Sequence, residues 1–471
     1  MRRGVPSPAR RRPVVLLALP RPIRLLLLWI ALLAVYSVGI ALPAAPDRAL
    51  TSTEAHRLLV THSVVTDGDI DLLDDYIARP WRDWGGIEGV RPDGALPSNV
   101  AVRRDARGQE GPPLAPGGYL EPTGPGVGAV LAPAYWAGRT TGLGGRVAVQ
   151  LWCAALMAAA FVLALGVARR IVPDPWATRG VLTIALSVPV VLGATEIGPA
   201  GPAALLVTGA VATALAVRDH PRTWAALSCA LLCALLPWLW LPLAPVALLV
   251  AAALTRWMRR RRRGLTGFLS LEVLLLSAFV YLTVHDRLFG GPTPWAPQVG
   301  WSLPTYFDGV GDVLARIVLS PVGLLLDRDL GLLRWAPVLA LVFVAVWRLV
   351  HWRRSRLFRV FADEIHVEVS VLFLLLVLVA ATVPYAILSP WPATNWLGGA
   401  GATAALPVAA ATVGWAWQRV PRAGAVLAGL TVVATVWTLA AAVLDPGAGS
   451  APPQGALPWA GVEQVLPVFR R

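Results

Sequence analysis

The chain has 471 residues, of which 56% are hydrophobic and only 14% are charged, and its formal net charge is +14. A soluble protein carries about 25% charged residues, so this composition excludes a set of ordinary soluble domains and indicates a membrane protein. The sequence contains no lysine, so the basic excess comes from arginine alone, and in so apolar a chain it predicts membrane orientation rather than nucleic-acid binding. The bias towards Arg, Gly, Pro and Ala is typical of a GC-rich bacterial source.

The first hydrophobic block spans residues 23–42 and follows a basic N-terminal segment, residues 1–22. About 20 apolar residues cross the hydrocarbon core as a helix, and the arginines before the block predict a cytoplasmic N-terminus. Residues 42–45 (Leu-Pro-Ala-Ala) also resemble a signal-peptide cleavage site, which is the alternative interpretation. The apolar blocks that follow favour a retained first span.

Ten further helices bring the prediction to an all-α, multi-pass protein with 11 hydrophobic helices in residues 23–444 of the chain. Arginine clusters follow alternate blocks, so all of them are expected on the cytoplasmic side of the cell membrane. Block 224–254 has arginines at both ends and three internal prolines, which predicts two short helices that turn back as a hairpin. The blocks are 147–168, 178–195, 199–217, 224–254, 265–284, 335–350, 369–388, 398–417 and 423–444.

Two segments predicted to lie outside the membrane interrupt these blocks. Residues 43–146 hold 13 of the 27 acidic residues, and a loop of this length is usually functional or disordered. Residues 285–334 contain several aromatic residues, which fit either an interfacial belt or sugar-stacking platforms. Residues 445–471 are rich in Pro, Gly and Ala and predict a loosely ordered external tail.

Residues 51–60 begin with hydroxyl side chains that can cap a helix and continue with an apolar stripe. They predict a short helix on the membrane surface just after the first span, with Glu54 in its first turn. A carboxylate at that position suits a general base that acts on a lipid-linked substrate. The alternative is a carboxylate that interacts only with the helix dipole.

Asp67, Asp69 and Asp71 place carboxylates at alternate positions around Gly68. Oxygen ligands at this spacing can bind Ca²⁺ or Mg²⁺, so the three aspartates are candidate metal ligands. The segment lacks the glycine and the terminal glutamate of an EF-hand loop. A solvated acidic turn is therefore the alternative.

Several motifs resemble those of the GT-C superfamily of membrane glycosyltransferases. After the first span come E-x-H-x-L at residues 54–58 and S-V-x-x-D-G-D-x-D-L at residues 63–72. Residues 124–135 are similar to the family's P-G-x-x-x-L-x-x-P-x-Y segment, and residues 320–337 to its G-L-x-x-D-R-x-x-G-L-x-x-x-x-P element. A W-x-G-G sequence follows at residues 396–399. These motifs come in the family's order, and the nearest likeness is to bacterial enzymes that transfer mannose or arabinose from polyprenyl phosphate.

The resemblance implies a glycosyltransferase that moves a sugar from a polyprenyl-phosphate carrier to a glycan or lipid acceptor at the outer face of the membrane. Glu54 takes the place of the family's catalytic base, and we expect Glu54 and Asp69 to line one cavity towards which Arg328 points. The partners implied are the lipid-linked sugar, its acceptor and membrane lipid, with a divalent cation as a candidate cofactor. The implied substrate-binding residues are His56, Asp67, Asp69, Asp327 and Arg328.

Departures from the family pattern keep a second interpretation open. A phosphate-binding arginine is absent after Gly399, and its loss weakens binding of the donor unless Arg328 or Arg334 replaces it. The alternative is an inactive GT-C-like protein that binds lipid-linked saccharide or scaffolds an envelope complex. A secondary transporter is disfavoured, because the spans show no inverted repeat. The other departures are Thr53 for an acid, Arg57 for an aromatic, Ala200 for a glutamate, and the missing histidine near Thr123.

Overall fold

The computed structural model describes residues 20–41, 50, 52–84, 102–104, 110–113, 120, 125–293, 310–327, 331–352, 362–388 and 400–444. Its helices are α1 Arg21–Ala41, α2 Ser52–Thr66, α3 Leu73–Ala78, α4 Pro125–Thr141, α5 Gly145–Ala168, α6 Trp176–Ala185, α7 Val188–Gly193, α8 Ala200–Asp219, α9 Thr223–Leu239, α10 Ala244–Arg260 and α11 Gly264–Phe289. The later helices are α12 Val310–Leu326, α13 Leu332–Trp335, α14 Leu341–Trp352, α15 Ala362–Leu388, α16 Ala400–Arg419 and α17 Pro421–Leu444.

Seven helices within the described residues are long and apolar enough to cross a membrane. Three shorter apolar helices accompany them. The prediction of a helical membrane protein is therefore confirmed, and the count of 11 spans stays a prediction. Helices α5 and α8 are the more buried ones, whereas α1 and α11 leave most of their surface to the surroundings, as lipid-facing helices do. The seven candidates are α1, α5, α8, α10 with the turn before it, α11, α15 and α17.

The predicted external segments contain structure of their own. Residues 43–146 include α2, α3, α4 and two short strands, β1 Val102–Arg104 and β2 Glu110–Pro113. The strands pair antiparallel, with Val102 opposite Pro113 and Arg104 opposite Glu110. They are only 3 and 4 residues long, so the described chain is still an α-helical protein. In residues 285–334, α11 continues to Phe289 and α12 and α13 follow.

Block 224–254 folds as the two predicted helices, α9 and α10. Trp240 adopts an extended conformation between them, and Pro242 and Pro245 lie at the start of the next helical turns, where a missing N–H costs nothing. The hydroxyl oxygens of Thr223 and Thr266 are 3.5 Å apart, so the start of α9 lies beside the start of α11. The two ends of the block therefore return to the same face of the bundle.

Block 178–195 differs from the prediction of one helix. Leu186 ends α6, and α7 begins at Val188 with Pro189 in its first turn. Ser187 is extended and its N–H group donates to the carbonyl of Ile184, so the break is satisfied locally. A proline is favourable in a first turn and unfavourable within a helix, which explains the division.

Arginines from separate parts of the sequence meet on one face of the bundle. Arg170 lies 3.9 Å from the carboxylate of Asp219 at the end of α8, and Arg218 pairs with the same carboxylate at 3.1 Å. Arg261, just after α10, donates to the backbone carbonyl of Arg218 at 3.3 Å. We call this face the basic face; it is the arrangement that alternate arginine clusters predict.

The opposite face is about 30 Å away, because α8 runs for 20 residues at about 1.5 Å each between the two. The turn before α8 and the turn between α9 and α10 lie at this end. Gly126 at the start of α4 packs so closely on the carbonyl of Trp238 that a Cβ atom would overlap it. We call this end the polar face, since α2, α3 and the acidic turn are attached to it.

The orientation of the two faces can be tested with single cysteines. Thr140, in the last turn of α4, and His220, after α8, are both exposed and belong to opposite faces. Cys153, Cys229 and Cys233 are buried and give a silent background. We expect a membrane-impermeant maleimide to label Thr140→Cys on intact cells, and His220→Cys only after permeabilisation. Labelling of His220→Cys on intact cells would reverse the orientation.

Gly126 should be intolerant of a side chain. Gly126→Ala forces a methyl group onto the backbone of Trp238, and overpacking of this kind costs about 1–3 kcal/mol. Gly429 of α17 has open space around its Cβ position, so Gly429→Ala should leave stability unchanged or slightly raised. The thermal midpoint in detergent is the measurement, and equal midpoints for the two variants would contradict the close packing.

Candidate functional site

Helix α2 is held inside the polar face rather than left on a surface. The predicted helix is present and continues to Thr66, with Leu58 and Leu59 fully buried. Gly128 of α4 permits close approach, because a Cβ atom there would lie 2.8 Å from a methyl group of Val60. Burial of this apolar face fixes the positions of the polar side chains on the rest of α2.

Glu54 lies in the first turn of α2, as predicted, and is half-buried. Its Oε1 atom accepts a hydrogen bond of 3.0 Å from the backbone N–H of Ile197. Ile197 belongs to the turn between α7 and α8 and is fully buried. The carboxylate is thus attached to the bundle through a residue 143 positions further along the chain.

Arg57, one turn after Glu54, binds the backbone carbonyl of the same residue. Its Nη1 atom donates to the carbonyl of Ile197 at 3.3 Å and lies 3.5 Å from a carboxylate oxygen of Glu196. Gly198 leaves room for it, since a Cβ atom there would overlap the guanidinium. The Arg57 Nε atom is buried and has no hydrogen-bond partner among the described residues.

We refer to Glu54, Arg57, Glu196 and Ile197 as the Ile197 cluster. It brings one cation and two carboxylates together at the polar-face end of α8. The side chains of Arg57 and Glu196 are only 12% and 13% exposed, so their charges are screened by solvent less than surface charges are. The cluster can therefore hold a base and a phosphate-binding cation side by side.

The acidic turn after α2 is a separate structure. Asp69 Oδ1 accepts a hydrogen bond from the Ser63 hydroxyl at 2.9 Å and one from the backbone N–H of Asp71 at 3.1 Å. Gly68 has a φ of +80°, which favours glycine at the point where α2 ends. Ser63 is nine residues beyond Glu54, or about 13 Å along the helix, so the shared cavity of Glu54 and Asp69 stays a prediction.

His62, Asp67 and Asp75 form a group that the sequence motifs did not indicate. His62 Nδ1 and Asp75 Oδ1 are 2.7 Å apart, and one potential ligand atom from each of the three residues lies within 4.8 Å of the others. Burial raises the pKa of the Asp75 carboxyl, and the hydrogen bond and charge of His62 oppose that rise. Of the predicted metal ligands, this group contains Asp67 but neither Asp69 nor Asp71.

Aromatic rings surround this histidine. The ring of His62 lies edge-on to Tyr135 at 5.8 Å and to Trp84 at 6.4 Å between centroids. Tyr135 and Trp84 are themselves buried. The aromatic side chains exclude water from one side of the imidazole and leave Asp67 exposed on the other.

The remaining predicted residues are less accessible. His56 is only 1% exposed and packs 6.1 Å from the ring of Tyr76, so it lines the core beneath the acidic turn. Asp327 is buried at the end of α12, where its carbonyl accepts the N–H group of Gly331. Arg328 lies outside the described residues, as do Thr123 and the W-x-G-G sequence. Arg334 is buried, with its guanidinium 4.8 Å from the Trp335 ring.

A groove of about 690 Å³ between α10 and α11 lies near the basic face. Its walls combine leucine side chains with Arg256, Arg259 and Arg260. These three arginines belong to the run at residues 256–263. Such a run is typical of a topology anchor beside anionic lipid, and a lipid-headgroup or nucleic-acid patch is the alternative interpretation. The place of the groove at the basic end of the bundle separates it from Glu54.

Comparison with known proteins gave no relative. No family model matches the chain, and no curated protein or solved structure matches it.

The charge pair of the Ile197 cluster predicts a measurable coupling. Arg57→Gln and Glu196→Gln should each lower the free energy of unfolding in mixed micelles, and the double-mutant cycle should give a coupling of about 1 kcal/mol because the pair is largely shielded. Arg169 and Asp174, an exposed pair, are the control and should couple by less than about 0.5 kcal/mol. Equal coupling in the two pairs would contradict a shielded contact.

Proposed function

We propose that the protein is an integral-membrane glycosyltransferase. It moves a sugar from a polyprenyl-phosphate carrier to a glycan or lipid acceptor at the outer face of the cell membrane. In this proposal the N-terminus is cytoplasmic and the basic face is the inner side of the membrane. The chain then has 11 spans and a fold of the GT-C type. The observation that supports it best is the half-buried carboxylate of Glu54, held beside a cation at the end of the bundle opposite the arginines.

Glu54 acts as the general base in this proposal. It takes the proton of an acceptor hydroxyl while the oxygen of that hydroxyl attacks the anomeric carbon of the sugar. The bond between that carbon and the carrier phosphate breaks, and polyprenyl phosphate leaves with the electron pair. The proton passes from Glu54 to water after the product departs. The sugar is transferred with inversion, since a single displacement connects donor and acceptor.

Arg57 supplies the cation for the carrier phosphate. It stands where the GT-C family pattern has an aromatic residue, and its Nε atom has no hydrogen-bond partner among the described residues. A guanidinium forms strong hydrogen bonds to phosphate oxygens, and a cation beside a leaving phosphate stabilises its developing charge. Arg57 thus offers a replacement for the arginine missing after Gly399, while Arg328 remains a second proposed cation.

Glu54→Gln is the decisive substitution. Glutamine keeps an acceptor oxygen for the N–H of Ile197 but cannot take a proton, so folding should persist while transfer falls by about 10²–10⁴-fold. The measurement is a profile of lipid-linked sugars and envelope glycans in a deletion strain complemented with wild type or variant. The missing glycan should return only with wild type, and the lipid-linked donor should accumulate with the variant.

The controls separate catalysis from binding and from a scaffold. Asp74→Asn removes an exposed carboxylate on the same face and should restore the glycan fully. Arg57→Gln and Arg328→Ala should chiefly raise the donor concentration needed for transfer. Full complementation by Glu54→Gln, with normal amounts of protein, would remove the catalytic assignment and favour a scaffold that binds lipid-linked saccharide.

A further inference from the structure

Three potential ligand side chains converge where α2 turns into α3. His62 is in the last turns of α2, Asp67 is in the turn itself, and Asp75 is in the first turn of α3. One atom from each residue lies within 4.8 Å of the others. Imidazole together with carboxylates is a donor set typical of zinc and other first-row divalent metals, whereas Ca²⁺ and Mg²⁺ prefer oxygen alone.

Asp75 provides an independent indication that a ligand belongs here. Its side chain is 2% exposed, and Oδ1 is bound to His62, but Oδ2 is buried without a hydrogen-bond partner among the described residues. A buried carboxylate oxygen with no partner carries a substantial desolvation cost. A cation beside that oxygen would offset the cost.

The geometry suits a metal of small radius. Zinc with nitrogen and oxygen ligands at about 2.1 Å places neighbouring ligand atoms about 3.4 Å apart in a tetrahedron. His62 Nδ1 and Asp75 Oδ1 are 2.7 Å apart, a hydrogen-bond distance that opens by about 0.7 Å when both atoms bind an ion, and a ligand atom of Asp67 lies within 4.8 Å of this pair. Asp67 is exposed, so its side chain can rotate inwards without disturbing the core.

We infer that His62, Asp67 and Asp75 bind one divalent transition-metal ion of the zinc class. Three protein ligands leave a fourth position for water or a substrate oxygen, as in open zinc sites. The buried rings of Tyr135 and Trp84 cover the imidazole on the protein side, so this position opens towards Asp67 and solvent. The site is about 12 Å along α2 from Glu54 and does not depend on the proposed transfer reaction.

Metal binding can be measured on the full chain in detergent, after tag removal and treatment with EDTA. We expect equilibrium dialysis against Zn²⁺ to give one bound equivalent, and Co²⁺ to give the visible absorption bands of a tetrahedral site. Asp67→Asn, which alters an exposed side chain, should weaken Zn²⁺ binding at least about tenfold while the metal-free thermal midpoint stays unchanged. His62→Ala and Asp75→Asn should weaken it as much.

Two variants serve as matched controls. Asp74→Asn removes the carboxylate next to Asp75, and His220→Ala removes an exposed histidine on the opposite face; both should bind Zn²⁺ as wild type does. Absence of stoichiometric binding, or equal affinity in Asp67→Asn and wild type, would overturn the site. Binding of Ca²⁺ or Mg²⁺ with an affinity equal to or higher than that of Zn²⁺ would overturn ligation by His62. None of these readouts requires sugar transfer, so the proposed function can fail while the metal site stands.

Discussion

The polar face depends on how the backbone of one buried residue, Ile197, is satisfied. Ile197 lies in an irregular turn between two helices, where its N–H and C=O groups lack helical partners, and unpaired peptide groups are costly inside a protein. Glu54 accepts from the N–H and Arg57 donates to the C=O, so one turn of α2 binds both groups. The charged residues proposed for chemistry are therefore also those that attach α2 to the bundle.

This double role explains why the charges of Glu54 and Arg57 are tolerated inside the bundle. Two largely shielded charges are expensive unless each is paired and hydrogen-bonded, and the cluster has Glu196 opposite Arg57 and a peptide dipole opposite Glu54. Gly198 leaves the space that the guanidinium occupies. A cluster held this way is positioned by the fold itself, which is the condition that the proposed stabilisation of a leaving phosphate requires.

Local signals made much of the architecture predictable. The prolines between α9 and α10, the arginines at both ends of that block and the capping residues before Glu54 each act within a few residues, so the hairpin and α2 could be read from the sequence. The division at Ser187 also had a local signal in Pro189, which the hydrophobic pattern outweighed.

The candidate site was less predictable, because its contacts join distant residues. Nothing near Glu54 in the sequence indicates that Ile197 is its partner, since pairing across 143 positions depends on how α8 packs. His62 and Asp75 meet only because the chain reverses at Gly68. The aspartate motif correctly located an acidic turn, but its alternate carboxylates went to different tasks, with Asp69 holding the turn and Asp67 next to the histidine.

The long separation within the Ile197 cluster has a consequence for biosynthesis. α2 is translated soon after the first span, yet the turn that it binds emerges 143 residues later, which at about 5–20 residues per second means a delay of roughly 7–30 s. During that interval Glu54 and Arg57 have no partner turn and the polar face is unfinished. The nascent chain thus enters the membrane without an assembled Ile197 cluster and acquires it only when α8 has been inserted. A chain truncated before Glu196 would keep the first motif and lack the turn that positions it.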